Sequence, residues 1–287
     1  MAKFLAETTF DGSTPDAHAG IFSEIAELTG VASPALLFRT FSTLPGALEW
    51  SWGILRPLAL SGRLQETAWA LADEVEAFNV PAITTEALRA AGVDEDAQEK
   101  IRTIIAAFNR SNPFALVTAA TLQRVMENGA GGQSGLNPGG NGTWTPPAPN
   151  KPSVTMIQPQ DMDAQTLALV IALGCRDQQG NDNMLVPSIY RFMAHWPGYL
   201  THISRVVIPS YESGEIDRRI NVLKIQALEK GKDFAAAATQ PAPQPEPDAF
   251  AETARILERF SHKIPEMIVV GRLLDEALPA RGQALLE

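Results

Sequence analysis

The chain has a single cysteine, Cys175, in 287 residues. This excludes an internal disulfide, a CxxC redox pair and any thiolate-based zinc site. A lone free cysteine is most often a small buried core residue. Histidine is scarce as well: His18, His195, His202 and His262 show no HExxH or related ligand spacing, so a metal site is not expected. Long apolar runs are missing, and without an 18-residue uncharged hydrophobic stretch no transmembrane helix is expected. Residues Met1 to Asp11 have no basic flank, apolar run or small-residue cleavage pattern, which makes a cytoplasmic location the default expectation. Basic residues are outnumbered, with 23 Lys and Arg against 33 Asp and Glu and a formal net charge of -10. Phosphate backbones and anionic membranes call for clustered cations, so nucleic acid and membrane are excluded as partners. There is no GxSxG elbow, Walker loop or GxGxxG at a strand-to-helix turn.

What the chain does have is a repeat. LPGALEWSWGILRPLALSGRL, starting at Leu44, returns as WPGYLTHISRVVIPSYESGEI, starting at Trp196. Pro45, Gly46, Leu48, Pro57, Ser61 and Gly62 recur as Pro197, Gly198, Leu200, Pro209, Ser213 and Gly214, always 152 residues on. The same offset relates Arg39 to Arg191, Phe108 to Phe260, Pro113 to Pro265 and Leu122 to Leu274. Residues 1–128 and 156–287 therefore form two copies of one unit. Between them, residues 129–155 are rich in Gly, Pro and Asn, which suits an exposed connector, and the GAGGQSG and NPGGNG stretches within it lack the following helix that phosphate binding needs. In the second copy, residues 236–248 are rich in Ala, Pro and Gln and are expected to form a flexible loop.

Each copy has helical periodicity. Ile21, Ile25, Leu28 and Val31 keep helical spacing, and Ser33 before Pro34 suits an N-cap followed by the first helical residue. Further helices are expected from Pro45 and Pro197, over 65–78, and over 98–126, where Ile101, Ile104, Ile105, Phe108 and Leu116 line one face. No alternating strand appears. The fold class expected is all-α, two tandem helical repeats forming an intramolecular pseudo-dimer, with the functional site where the copies face each other.

Asn112 shares its helix face with Phe108 and Leu116, so an amide points where hydrocarbon would be expected, and Pro113 beside it frees a carbonyl near Asn109. The second copy has Ile264 at the position of Asn112. Arg39 and Arg191 could bind an anion, but matching arginines in a repeat more often cap a helix or pair with an acid. Glu49, beside Trp50 and Trp52, is a candidate acid or base if buried.

The segments FRTFSTLPGALEWSW, AAFNRSNPFALVTA and VPSIYRFMAHWPGYL, in this order and spacing, resemble the group I 2-haloacid dehalogenases, which act on both D and L substrates. The resemblance implies an all-α pseudo-dimer with its active site between the repeats. It also implies a cofactor-free reaction in which an aspartate activates water to displace halide directly. Carried over residue by residue, Asn112 matches the family's active-site asparagine and Ser188 the serine that precedes the catalytic aspartate. Ile189 stands at the aspartate's own position. Ser33 and Leu36 fall where the family places pocket aromatics, and Arg39, Asn109 and Tyr190 complete the set expected to contact a small-molecule ligand. Asp182 could replace the missing acid only if the helix register slid by seven residues against the Trp196–Pro197 anchor. The Pro-Gly helix and the SGRL turn are also similar to those of alkylhydroperoxidase-type helical proteins, whose CxxC chemistry is absent here.

Two functions are compatible with these residues. The first is a divergent hydrolase acting on a small carboxylic acid, with Asn112 positioning water and Glu49 or Asp182 as base. The second is a small-molecule-binding or structural pseudo-dimer in which Ile189 has made a catalytic cavity apolar. Self-association as a homodimer is the one protein partner considered.

Overall fold

The computed structural model describes residues 3–10, 16–132, 144–178, 183–239 and 243–280. Six helices precede the connector: α1 (Asp16–Thr29), α2 (Leu36–Phe41), α3 (Ala47–Leu60), α4 (Arg63–Asp73), α5 (Thr85–Ala90) and α6 (Glu95–Asn128). Five follow it: α7 (Ala164–Gly174), α8 (Ser188–Met193), α9 (Pro197–Glu212), α10 (Glu215–Ala237) and α11 (Pro247–Glu276). No β-strand occurs among the described residues; two isolated bridges pair Phe4 with Met184 and Val31 with Asn150. The fold is all-α.

Local chemistry sets the helix ends. Asp94 caps α6 by accepting from the Ala97 amide at 2.8 Å, and Glu95 and Asp96 place negative charge at the positive end of the helix dipole. In α11, Pro247 occupies the first turn, where a missing amide costs nothing. Helices α2 and α8, α4 and α10, and α6 and α11 begin 152 residues apart, at positions 36 and 188, 63 and 215, and 95 and 247. Pro57 and Pro209 lie inside α3 and α9, and Pro113 and Pro265 inside α6 and α11. Each of these prolines forgoes one helical hydrogen bond, which the packing around the helix must offset. The long helices α6 and α11 share the most extensive contact in the molecule, followed by α6 with α10. Their buried faces, including Leu116, Val117, Leu122, Val269 and Leu274, join Trp50, Phe38 and Tyr190 in one continuous core.

Three sequence expectations need correction. Ser33 does not cap α2: the helix starts at Leu36 with Ala35 in the N-cap position and no side-chain cap. The chain stays extended there because the Pro34 carbonyl accepts from Nε of the buried Arg39 at 3.2 Å instead of starting a helix. In the second copy α10 continues as one helix to Ala237 where the first copy breaks into α4 and α5, so the irregular segment shrinks to the stretch before Pro247, of which 240–242 lie outside the described residues. The connector is not free along its length. Arg110 Nη1 donates to the carbonyls of Gly30 and Ala148, at 3.2 and 2.8 Å, and the Gly131 and Gly132 amides donate to Ala235 and Ala238. Trp144 lies so close over Gly62 (φ 77°) that a Cβ there would fall 2.2 Å from its ring. Glycine therefore serves twice at that turn, for the left-handed backbone and for the seat of the indole.

Gly231 lets α10 approach α6 closely, since a Cβ on it would meet the Ala120 backbone carbon at 2.6 Å. Gly231→Val is expected to destabilise the fold by about 1–3 kcal/mol, because a main-chain neighbour cannot step aside. Gly20→Ala in α1, where no atom lies within 4 Å, should stabilise it by about 0.4–1 kcal/mol. Urea midpoints at constant m-value test both signs.

Candidate functional site

The helices of the two copies meet around a small cavity of about 30 Å³. Its walls come in repeat-related pairs: Ala35 with Pro187, Leu36 with Ser188, Leu37 with Ile189, Phe108 with Phe260, Asn112 with Ile264, and Ala115 with Met267. Leu185 and Lys263 complete it. Each pair is separated by 152 residues, the offset of the sequence repeat. Asn112 and Ile189 face the same space, and Ile189 is almost wholly buried. The Asn112 carboxamide has no hydrogen-bond partner among the described residues. No carboxylate is among the described lining residues.

Lys263 is the one charged group among the described residues of this wall, and its protons are committed. Nζ donates to the Gly174 carbonyl at 3.2 Å, to Asp177 Oδ1 at 2.9 Å and to Glu266 Oε2 at 2.5 Å. Glu266 also accepts from the Tyr211 hydroxyl at 2.5 Å. Burial raises the Glu266 carboxyl above its ordinary value, with Lys263 and Tyr211 opposing. Burial works against the charge of Lys263, but Glu266 and Asp177 outweigh it and hold the ammonium above the usual lysine value. Three N–H donors and no lone pair make Lys263 a tie between α11 and the end of α7, not a proton acceptor.

A larger cavity of about 280 Å³ shares Ala35, Leu36, Phe108 and Ser188 with the small one. It also takes in Ser33, Arg39, Phe10, Val31, Phe192, the connector residue Val154 and Met156 just after it. The floor beside it is a charge cluster. Arg39 Nη1 lies 2.5 Å from Glu7 Oε2, and Arg191 Nη1 lies 2.6 Å from Glu7 Oε1, so one carboxylate bridges the two repeat-related arginines. Arg39 Nη2 donates to Ser188 Oγ at 2.9 Å, while Arg191 Nη2 turns to Gln158 Oε1. The difference follows from sequence: the residue equivalent to Ser188 is Leu36, which has no acceptor to offer. Both arginine side chains are 4% exposed and Glu7 is 10% exposed. Burial, with Arg191 adding to it and Glu7 opposing, lowers the Arg39 guanidinium below its ordinary value.

The sequence-derived set is thus divided. Asn112, Ser188, Ile189 and Leu36 line the small cavity, and Ser33, Arg39, Leu36 and Ser188 the large one. Asn109 lines neither; its Oδ1 packs on the backbone of α11, 2.3 Å from where a Cβ on Gly271 would lie. Tyr190 lines neither and is fully buried, and that burial pushes its phenol well above the ordinary tyrosine value. Glu49 is exposed and paired with His18 at 3.2 Å, outside both cavities, because the apolar face of α3 turns the neighbouring Trp50 and Trp52 inward. Asp182 lies outside the described residues. The residue that sequence reasoning missed is Glu7. The paired Arg39 and Arg191 signalled that an acid was needed, but nothing in the spacing said which.

A model of the family described as halocarboxylic acid dehydrogenase DehI matches residues 35–179, just over half of the 287-residue chain. No curated protein matches the chain. Its fold is similar to that of a D-2-haloacid dehalogenase mutant in complex with D-2-CPA and of a D-2-haloacid dehalogenase in complex with L-LA. Each likeness has a TM-score of 0.75 at 16% identity, over 96% of this chain and 97% of the other. A further D-2-halacid dehalogenase mutant is similar at a TM-score of 0.71 and 15% identity, over 97% and 98%. At such identities the likeness is one of fold.

Cys175 is buried, its Sγ 3.5 Å from the Leu185 carbonyl, and burial raises its thiol to about 11. At pH 8 a thiol-disulfide reagent is expected to modify the native protein negligibly and to release one equivalent once the chain is unfolded in denaturant, because only the exposed thiolate reacts.

Proposed function

Because the chain belongs to the halocarboxylic acid dehydrogenase DehI family, we propose that it is an internal pseudo-dimer whose cavity between the copies holds a small organic molecule without hydrolysing it through an aspartate-activated water. One observation carries this reading: Asn112 and Ile189 share a cavity with no carboxylate among the described residues of its wall. A general base must lie within hydrogen-bond reach of the proton it takes, directly or through one water. Isoleucine accepts no proton, and Leu37, its repeat counterpart, accepts none either. Lys263 is fully engaged as a donor. The apolar walls of the larger cavity, Phe10, Val31, Phe108 and Phe192, suit the hydrocarbon body of a ligand, while polar groups including Ser33, Ser111, Gln158, Ser188 and Arg39 can orient it.

A second reading, a divergent hydrolase acting on a small carboxylic acid, draws on Asn112, whose unpartnered carboxamide is suited to positioning water or substrate. It lacks a base among the described lining residues.

Halide release from D- and L-2-chloropropionate separates the two. The wild-type protein is expected to stay at the background rate. Ile189→Asp is expected to exceed it by at least about 100-fold, the lower end of what a positioned base contributes, and Asn112→Ala in that background should remove the gain. Turnover by the wild type that Asn112→Ala abolishes would refute the binding reading and establish the hydrolase.

A further inference from the structure

On one side the 280 Å³ cavity has a wall a single chain thick. Pro152, Val154 and Met156 line it, while Lys151, Ser153 and Thr155, which alternate with them, are exposed to solvent. Successive side chains of an extended segment point to opposite sides, so residues 151–156 form a strap with the cavity on one face and water on the other. Thr155 reaches the cavity edge as well. The strap runs from one copy to the other and is tied at both ends. At its start the Asn150 amide donates to the Gly30 carbonyl at 2.8 Å, beside the Arg110 bond to the Ala148 carbonyl. At its end the Ile157 amide donates to the Arg191 carbonyl at 3.4 Å. Between these ties, residues 151–156 make one hydrogen bond among the described residues, from His195 Nε2 to the Thr155 carbonyl at 2.7 Å. Elsewhere the wall is helix, in α2, α6 and α8, or loop held by its neighbours: the Val31 amide donates to the Ala26 carbonyl, the Pro34 carbonyl accepts from Arg39, and the Thr8 amide, next to Thr9, donates to the Arg39 carbonyl.

We propose that the strap, residues 151–156, is the gate through which a ligand enters and leaves this cavity, and that His195 is its latch. The inference rests on the reading of the cavity as a ligand site and adds the route of entry. Opening breaks one hydrogen bond, at Thr155, and lifts Pro152, Val154 and Met156 off the cavity; the backbone groups of 151–154 have no protein partner to lose. A segment with few buried contacts and a water-bonded backbone opens at low free energy, whereas a route through α6 or α8 would break helical hydrogen bonds. The helices meanwhile keep Arg39, Ser111 and Ser188 in place, which is the arrangement of a loop closing over a rigid site. The latch belongs to the second copy, since His195 lies between α8 and α9, and the starting tie at Gly30 belongs to the first. The connector that joins the copies in sequence thus also closes the space between them.

Labelling of a cysteine placed inside the cavity tests the gate without any ligand. Ser111 lines the cavity and is 7% exposed, and the native thiol, Cys175, is buried outside it. In the full chain carrying Ser111→Cys, a dipyridyl disulfide is expected to label the introduced thiol well below the rate found for the unfolded chain. Adding His195→Ala should raise the native rate by about two- to tenfold, the range that one net hydrogen bond allows. His195→Gln, whose amide can donate to the same carbonyl, should bring the rate back towards its starting value, and His262→Ala, outside the cavity, should leave it unchanged. Cys175 should stay unlabelled in every variant, which separates opening of the strap from unfolding. Should Ser111→Cys fail to fold, Ala107→Cys reports on the same wall. Labelling as fast as in the unfolded chain would mean a cavity that stands open and would overturn the gate. A rate that His195→Ala leaves unchanged would overturn the latch and put the entrance elsewhere, and a rise shared by Cys175 would assign the effect to unfolding and overturn it as well. None of these failures removes the cavity as a ligand site, and failure of small molecules to bind would leave the labelling rates as they are.

Discussion

A single carboxylate, Glu7, holds two guanidiniums at the seam between the copies, and much of the site's geometry depends on it. The N-terminal segment that carries it is anchored to the second copy through the Lys3, Leu5 and Met184 backbone bonds and to the first through the Thr8 amide and the Arg39 carbonyl. Glu7 is thereby delivered between Arg39 on α2 and Arg191 on α8. These short helices also present Leu36, Leu37, Ser188 and Ile189 to the small cavity. The clasp that joins the copies and the walls of the site are the same two helices. Buried ion pairs gain little net stability over hydrocarbon, but removing one partner from such a pair leaves an uncompensated charge that costs about 3–5 kcal/mol. The arrangement therefore works more as a constraint on geometry than as a source of stability.

The cavity is lined by residues that the 152-residue offset relates, and the members of some pairs differ in polarity. Asn112 and Ile264 face the same space, as do Leu36 and Ser188, and in each pair one copy contributes a polar group where the other contributes hydrocarbon. The polar groups come from different copies, Asn112 from the first and Ser188 from the second, so neither copy alone holds the site. Leu37 and Ile189, like Ala35 with Pro187, Phe108 with Phe260 and Ala115 with Met267, are apolar in both members. Lys263 adds a further asymmetry. Its counterpart is Ser111, and the Lys263–Glu266–Tyr211 chain ties α11 to α7 and α9 on one side of the cavity only.

Helix positions, the two copies and their offset were legible in the chain because each rests on local information: apolar periodicity, capping residues and glycines that recur at one spacing. That Asn112 and Ile189 share a site was an expectation from the family resemblance, and both line the small cavity. The placement of Asn109, Tyr190 and Glu49 was not legible. Asn109 and Asn112 lie on neighbouring turns of α6, yet one packs on Gly271 and the other faces the cavity, a difference fixed by the crossing of α6 over α11 and not by spacing along α6.

The sequence by itself determined an all-helical chain with segments that recur at an offset of 152 residues, an asparagine on an otherwise apolar helix face, and two equivalent arginines in need of a counter-charge. Only the tertiary structure decided that the counter-charge is Glu7 and that it comes singly. Periodicity records how residues along one helix share a face, whereas an ion pair between a terminal segment and two helices of different copies is set by the packing of the whole chain.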